Sequence, residues 1–136
     1  MYKTVYIPMS ADLIHPGHMR IIDAGSRLGT VTIGLLTDGA IYSKKKRQTV
    51  MCYDDRKVVV EHIKGVNSVV AQTSADYVPN LLKLMPDFVV HGDDWSVAAK
   101  QQVTQTLKQW NGELIELPYG TGITSTKIRQ RIRDAS

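Results

Sequence analysis

Five short apolar runs rich in β-branched residues recur along this chain: KTVYIP (3–8), VTIGLLT (31–37), NSVVAQ (67–72), DFVVHG (87–92) and GELIELP (112–118). An amphipathic stretch follows each of them. Nearly continuous apolar strands suit a parallel sheet that is covered on both faces, and strictly alternating strands and helices supply the cover. The pattern predicts helices over 17–28, 54–64, 78–84, 96–109 and 124–133, and with them a doubly wound α/β sandwich around a five-stranded parallel sheet.

That architecture fixes where chemistry can occur. In open parallel sheets ligands bind beyond the carboxyl ends of the strands, near the point where the strand order reverses. Four unusual segments fall at such ends: HPGH (15–18) after the first run, TDGAIYSKKKR (37–47) after the second, HGDDW (91–95) at the fourth and YGTGITSTKIR (119–129) after the fifth. All four are expected on one edge of the sheet.

Composition narrows the partners. At 136 residues, 43% hydrophobic and 22% charged, the chain fits one globular domain, residues 1–136. No apolar run approaches the roughly 20 residues that span a bilayer, and the N-terminus lacks the apolar stretch of a secretion signal. Cys52, the one cysteine, makes neither an internal disulfide nor a multi-cysteine metal site, so a cytoplasmic protein is expected. A net charge of +4 suits an anionic substrate. The basic runs KKKR (44–47) and KIRQRIR (127–133) carry no interleaved aromatic residues, which argues against a nucleic-acid partner.

His15 and His18 stand at the start of the first expected helix, with Pro16 and Gly17 between them. Three readings are open: two metal ligands, a capped turn, or two imidazoles that donate to a phosphoryl group where free N–H groups and the helix dipole already favour an anion. The metal reading lacks a third ligand such as the glutamate of an H-E-x-x-H helix. A second helix start, GTGITSTKIRQR, offers Gly120 and Gly122 for close backbone approach, hydroxyls at Thr124, Ser125 and Thr126, and charge at Lys127 and Arg129. The lysine run is expected to form a loop able to fold over a polyphosphate. Arg56 is a further cation, while Asp93, Asp94 and Trp95 supply carboxylates and an aromatic wall, or simply a cap and a packed ring. Neither a G-x-G-x-x-G nor a Walker-type P-loop is present.

Together, HPGH after the first strand and GITSTKIR at the C-terminal helix resemble the nucleotidyltransferase superfamily marked by H-x-G-H and I-S/T-S/T-T motifs. SADLIHPGH, the KKK run, YDDRK, HGDDW and GITSTKIR are similar to the small cytidylyltransferases, over essentially the whole chain. The resemblance implies a Rossmann-like fold and transfer of CMP from CTP to a phosphate- or phosphonate-bearing acceptor, with a magnesium ion carried on the triphosphate and none held by the protein alone. Catalytic roles fall on His15, His18, Lys44, Lys46 and Thr126. Met9, Ser10, Ala11, Gly17 and Arg56 are implied as nucleotide contacts from the first half of the chain, and His91, Asp94, Trp95, Tyr119, Gly122, Thr124 and Ser125 from the second. Asp12 and Tyr77 are candidates for the acceptor.

Two departures sharpen the resemblance. Glycerol-3-phosphate and phosphocholine cytidylyltransferases usually read R-T-E-G-I-S-T, whereas here Tyr119 replaces the arginine and Thr121 the glutamate. The first motif opens MSADLIHPGH rather than with G-T-F-D. Both look more like the phosphonate cytidylyltransferases, which attach CMP to 2-aminoethylphosphonate or a relative. The resemblance further implies a homodimer without nucleic-acid or membrane partners, and glycerol 3-phosphate is the alternative acceptor.

Overall fold

The structure, a computed structural model, describes residues 2–118 and 122–136. Its elements run β1 (Thr4–Met9), α1 (Pro16–Leu28), β2 (Thr30–Leu36), α2 (Asp38–Lys45), α3 (Tyr53–Glu61), β3 (Val66–Gln72), α4 (Val78–Leu84), β4 (Phe88–Gly92), α5 (Val97–Lys108), β5 (Glu113–Leu117) and α6 (Ser125–Ala135). The five strands form one sheet in the order β3-β2-β1-β4-β5, with every pair parallel. The order reverses beside β1, so β1 and β4 flank the switch point.

Side-chain alternation along β1 explains the two layers. Val5, Ile7 and Met9 point into a core shared with Ile22 of α1, Val60 of α3 and the β2 residues Val31, Ile33 and Leu35. Tyr6 points the other way, into a core with Leu81 of α4 and Val103 and Leu107 of α5. Both faces of the strand are buried, which is why its sequence reads as one apolar run. The Tyr6 hydroxyl is satisfied inside the second layer. It donates to Gln72 Oε1 at 2.6 Å and accepts from Asn80 Nδ2 at 2.9 Å. Gly34 on β2 makes room for this ring, since a Cβ there would lie 1.8 Å from the Tyr6 oxygen.

The expected fold class is the observed one, with one added element. The stretch expected as a lysine loop is mostly helical. Thr37 caps α2 by accepting from the Ala40 N–H at 3.2 Å, and Ala40 and Ile41 bury against Leu36. Only two apolar residues anchor this two-turn helix, too few for a visible period. Lys46 ends it in the left-handed region, φ 56°.

Candidate functional site

The two histidines are built into the helix start. His15 is the N-cap of α1 and accepts from the Gly17 N–H through Nδ1 at 3.0 Å. His18 Nδ1 in turn accepts from the His15 N–H at 3.2 Å, so the two imidazoles form a reciprocal capping box. Pro16 occupies the first helical turn, where its missing N–H costs nothing. Gly17 is required by the ring beside it, because a Cβ there would lie 2.6 Å from His15 Cε1.

This geometry fixes the tautomers. A ring nitrogen that accepts from a backbone N–H is unprotonated, which places the proton of each neutral imidazole on Nε2. The capped turn and the phosphate reading are therefore compatible: Nδ1 serves the backbone and Nε2–H remains for a ligand. The ring centroids lie 4.1 Å apart. Burial, with His15 nearby, pulls the His18 pKa down to about 4, and burial followed by the charge of Arg20 lowers that of His15. At neutral pH both are uncharged donors.

A pH dependence of stability follows. His18 binds its proton less readily folded, at about 4, than unfolded, near 6.5, so the unfolded chain takes up more protons as pH falls through that window. Stability attributable to His18 is fully present above pH 6.5 and is lost towards pH 4, by about 2–3 kcal/mol at pH 4.5. Urea unfolding at pH 7.0 and 4.5 should show that loss in the wild type and a correspondingly smaller one in His18→Asn.

α6 arrives at the same edge. Thr124 caps it by accepting from the Lys127 N–H at 3.1 Å. Ser125 Oγ donates to Leu13 O at 3.0 Å, which ties α6 to the segment ahead of the histidines. The Ser125 hydrogen is thus committed to the chain, while Thr124 accepts through its oxygen and keeps its hydroxyl hydrogen. Arg129 reaches across to Asp12, Nη2 to Oδ2 at 3.1 Å.

Asp12 is 2% exposed and fully engaged. It accepts from the Val50 and Met51 N–H groups at 2.9 Å each, as well as from Arg129. Although burial opposes it, these donors hold its carboxyl below the usual range. Asp12, expected to meet the acceptor, lines the smaller of two adjoining cavities and also gathers the 50–51 segment and the Arg129 guanidinium.

At the β4 end, His91 Nδ1 is 2.8 Å from Gly92 O and must carry its proton there. Its Nε2 then accepts from the Tyr77 hydroxyl at 3.1 Å. Burial lowers the His91 pKa. Trp95 lies flat on that ring, 3.9 Å between centroids and 11° between planes, and its Nε1–H donates to Glu116 at 3.0 Å. Expected against the nucleotide, Trp95 instead backs His91 from the side and does not line the cavity.

These segments enclose two adjoining cavities, of about 270 and 210 Å³. His18, Lys45, His91, Asp94, Ser125 and Arg129 lie in the wall common to both, together with Met9. The larger is completed by His15, Gly17, Arg20, Thr124 and Thr126, the smaller by Ser10, Ala11, Asp12, Lys44, Arg47 and Tyr77. All four strand ends with unusual segments thus contribute to one cleft. Within the lysine run, Lys45 faces both cavities and Lys44 the smaller one, while Lys46 lines neither. Sequence could not supply that register, because three successive lysines carry no phase. Partial burial, then the charges of Arg47 and Lys44, lowers the Lys45 pKa. Arg20, an isolated cation on an expected helix, and Arg47, the last residue of the KKKR run, were not singled out from sequence.

Arg56 does not reach the cleft. Its side chain is fully buried, donating to Ser10 O at 2.6 Å, Leu36 O at 2.8 Å, Met51 O at 3.0 Å and Asp38 at 2.7 Å. The expected nucleotide contact is a brace beneath the strand ends. Gly122 is exposed and lines neither cavity, and Tyr119 lies outside the described residues.

Known proteins share this pattern. The cytidylyltransferase-like family model matches residues 7–131. A glycerol-3-phosphate cytidylyltransferase of Bacillus subtilis is 25% identical over 122 residues, covering 89% of this chain and 90% of its own length. One from Bacillus spizizenii is 32% identical over 121 residues, covering 88% of each. Among solved structures, a lipopolysaccharide core biosynthesis protein from Thermoplasma volcanium superposes with a TM-score of 0.73 at 13% identity. That match covers 90% of this chain and all of the other.

Proposed function

Because the chain belongs to the cytidylyltransferase-like family, its chemistry is nucleotidyl transfer from CTP, and we propose that the acceptor is a small phosphonate such as 2-aminoethylphosphonate. The observation that carries the reading is the lining common to the two cavities, to which His18, with its Nε2–H donor, and Lys45 both belong. In-line displacement needs the attacking oxygen and the leaving group on opposite sides of the α-phosphorus, and two adjoining cavities that share lining residues suit that demand. The phosphonate class is supported by MSADLIHPGH and by Tyr119 in place of an arginine, the features in which the sequence resembles phosphonate cytidylyltransferases.

A phosphonate oxygen is already ionised at neutral pH, so its attack on the α-phosphorus needs no general base. The new P–O bond forms as the bond from the α-phosphorus to the bridging oxygen breaks, and pyrophosphate leaves with the electron pair. Neutral His15 and His18 donate through Nε2–H to phosphoryl oxygens, with His18 at the α-phosphate. Thr124 and Thr126 at the α6 start hold the leaving pyrophosphate, and Lys45, with Lys44, neutralises the charge that develops.

Among the described residues no group of three or more His, Cys, Asp or Glu side chains could hold a metal ion. Asp94, which lines both cavities, is the carboxylate that would stand beside a magnesium ion brought in on the nucleotide. Such an ion would supply Lewis-acid neutralisation of the pyrophosphate charge.

The names of the two Bacillus relatives favour a second reading, glycerol 3-phosphate as acceptor. Pyrophosphate release with CTP and a panel of acceptors separates them. The expected result is a kcat/KM at least about tenfold higher for a phosphonate, one factor of 1.4 kcal/mol in transition-state binding, and a preference for glycerol 3-phosphate would overturn the phosphonate reading. The proposal extends to a cytoplasmic homodimer, the oligomer being tested by sedimentation of the purified chain. No described helix is long and apolar enough to cross a membrane.

A further inference from the structure

We propose that the smaller cavity is the acceptor subsite and that Arg47 and Arg129 are the pair that grips the acceptor's phosphonyl dianion. This rests on the reading of the cleft as a CTP-dependent transferase site and adds which residues take the second substrate.

The first observation is an unmet donor. The Arg47 side chain is 31% exposed, and its Nη1 makes no hydrogen bond; it forms only a long ion pair with Asp12 Oδ2 at 3.6 Å. A guanidinium held by one long ion pair keeps donors for a further anion. Of the two carboxylates that line the same cavity, Asp12 already accepts from Val50, Met51 and Arg129, and Asp94 forms no ion pair with Arg47.

The second observation is the charge balance. Lys44, Lys45, Arg47 and Arg129 line this cavity against the carboxylates of Asp12 and Asp94. Four cations against two anions leave two positive charges, the complement of one phosphonate or phosphate-ester dianion. His18 and His91 add no charge at neutral pH, because burial keeps both imidazoles neutral.

The third is the division of labour between the cavities. The α1 and α6 starts, with His15, Thr124 and Thr126, belong to the larger cavity, so two helix N-termini are available to the triphosphate there. Arg47 lines the smaller cavity and not the larger, whereas Arg129 lines both. Both guanidiniums approach the same oxygen of Asp12, Arg47 at 3.6 Å and Arg129 at 3.1 Å, which keeps the two cations near one another beside the cavity. Two planar forks suit a tetrahedral dianion better than flexible ammonium groups do.

The test is Arg47→Gln, which keeps length and polarity and removes the charge. Steady-state pyrophosphate release with 2-aminoethylphosphonate should give an acceptor KM raised about 30-fold, as for loss of one charge-assisted contact. The KM for CTP should stay within about threefold, because the triphosphate lies in the other cavity. Arg47→Lys should fall between. An acceptor KM within threefold of wild type, or a CTP KM that rises as far as the acceptor KM, overturns the assignment. If the wild type prefers glycerol 3-phosphate, the phosphonate reading fails, and the same variant measured on that acceptor decides the subsite separately. A 31P NMR titration of methylphosphonate onto the protein holding a non-hydrolysable CTP analogue makes the test independent of turnover. Weakened binding in Arg47→Gln supports the subsite, and equal binding in both proteins overturns it.

Discussion

His18→Ala is expected to lower kcat by about 10²–10³, the usual cost of removing one preorganised donor to the charge of a transition state. The imidazole has two duties, however, and alanine removes both. Its Nδ1 accepts from the His15 N–H and so helps start α1, while Nε2–H is the donor left for the α-phosphate. His18→Asn separates them. The amide oxygen can still accept from the backbone N–H, but nothing occupies the Nε2 position. Both variants should be slow, and the asparagine form should unfold close to wild type at pH 7. A loss of less than tenfold in either, with the fold intact by circular dichroism, would contradict the role given to His18.

The largest stability effect is expected at Arg56. Replacing it with methionine, of similar length, should cost about 3–5 kcal/mol, as removal of one member of a buried ionic network does. Three backbone carbonyls, of Ser10, Leu36 and Met51, lose their donor in one step. Asp38 is half exposed, so water takes up part of its loss, and the carbonyls dominate. Arg56→Lys should recover less than half, because an ammonium cannot reach four acceptors in the same fork geometry. Urea unfolding at pH 7 measures both, and a methionine variant within 1 kcal/mol of wild type would show that Arg56 is not the brace described.

Arg56 also shows where sequence reading stops. DDRK looks like the solvated first turn of a helix, and nothing in its neighbours signals that the guanidinium turns inward to bind carbonyls of Ser10 just after β1, of Leu36 in β2 and of Met51. Such a role depends on which strand ends meet, a tertiary fact. The strands were legible because parallel strands buried on both faces are apolar throughout, whereas HPGH left three readings open, and only the structure shows its two imidazoles capping the helix start. α2 was not, since its burial rests on Ala40 and Ile41 alone. Ser125 and Trp95 carry the residue types a ligand would want, yet the fold commits the one to Leu13 O and the other to His91 and Glu116. Arg47 and Arg129 were visible only as charge, because their pairing through Asp12 joins positions 117 residues apart in the chain.

The central claim is that an oxygen of a phosphonate attacks the α-phosphorus of CTP in this cleft. It is tested most directly by incubating the protein with CTP, magnesium and equimolar 2-aminoethylphosphonate and glycerol 3-phosphate, the phosphonate carrying 18O, and following products by 31P NMR. The account predicts unlabelled pyrophosphate and a CMP–phosphonate anhydride as the main product, with the isotope shift on both of its phosphorus signals. CDP-glycerol as the main product, or label in the pyrophosphate, would contradict it.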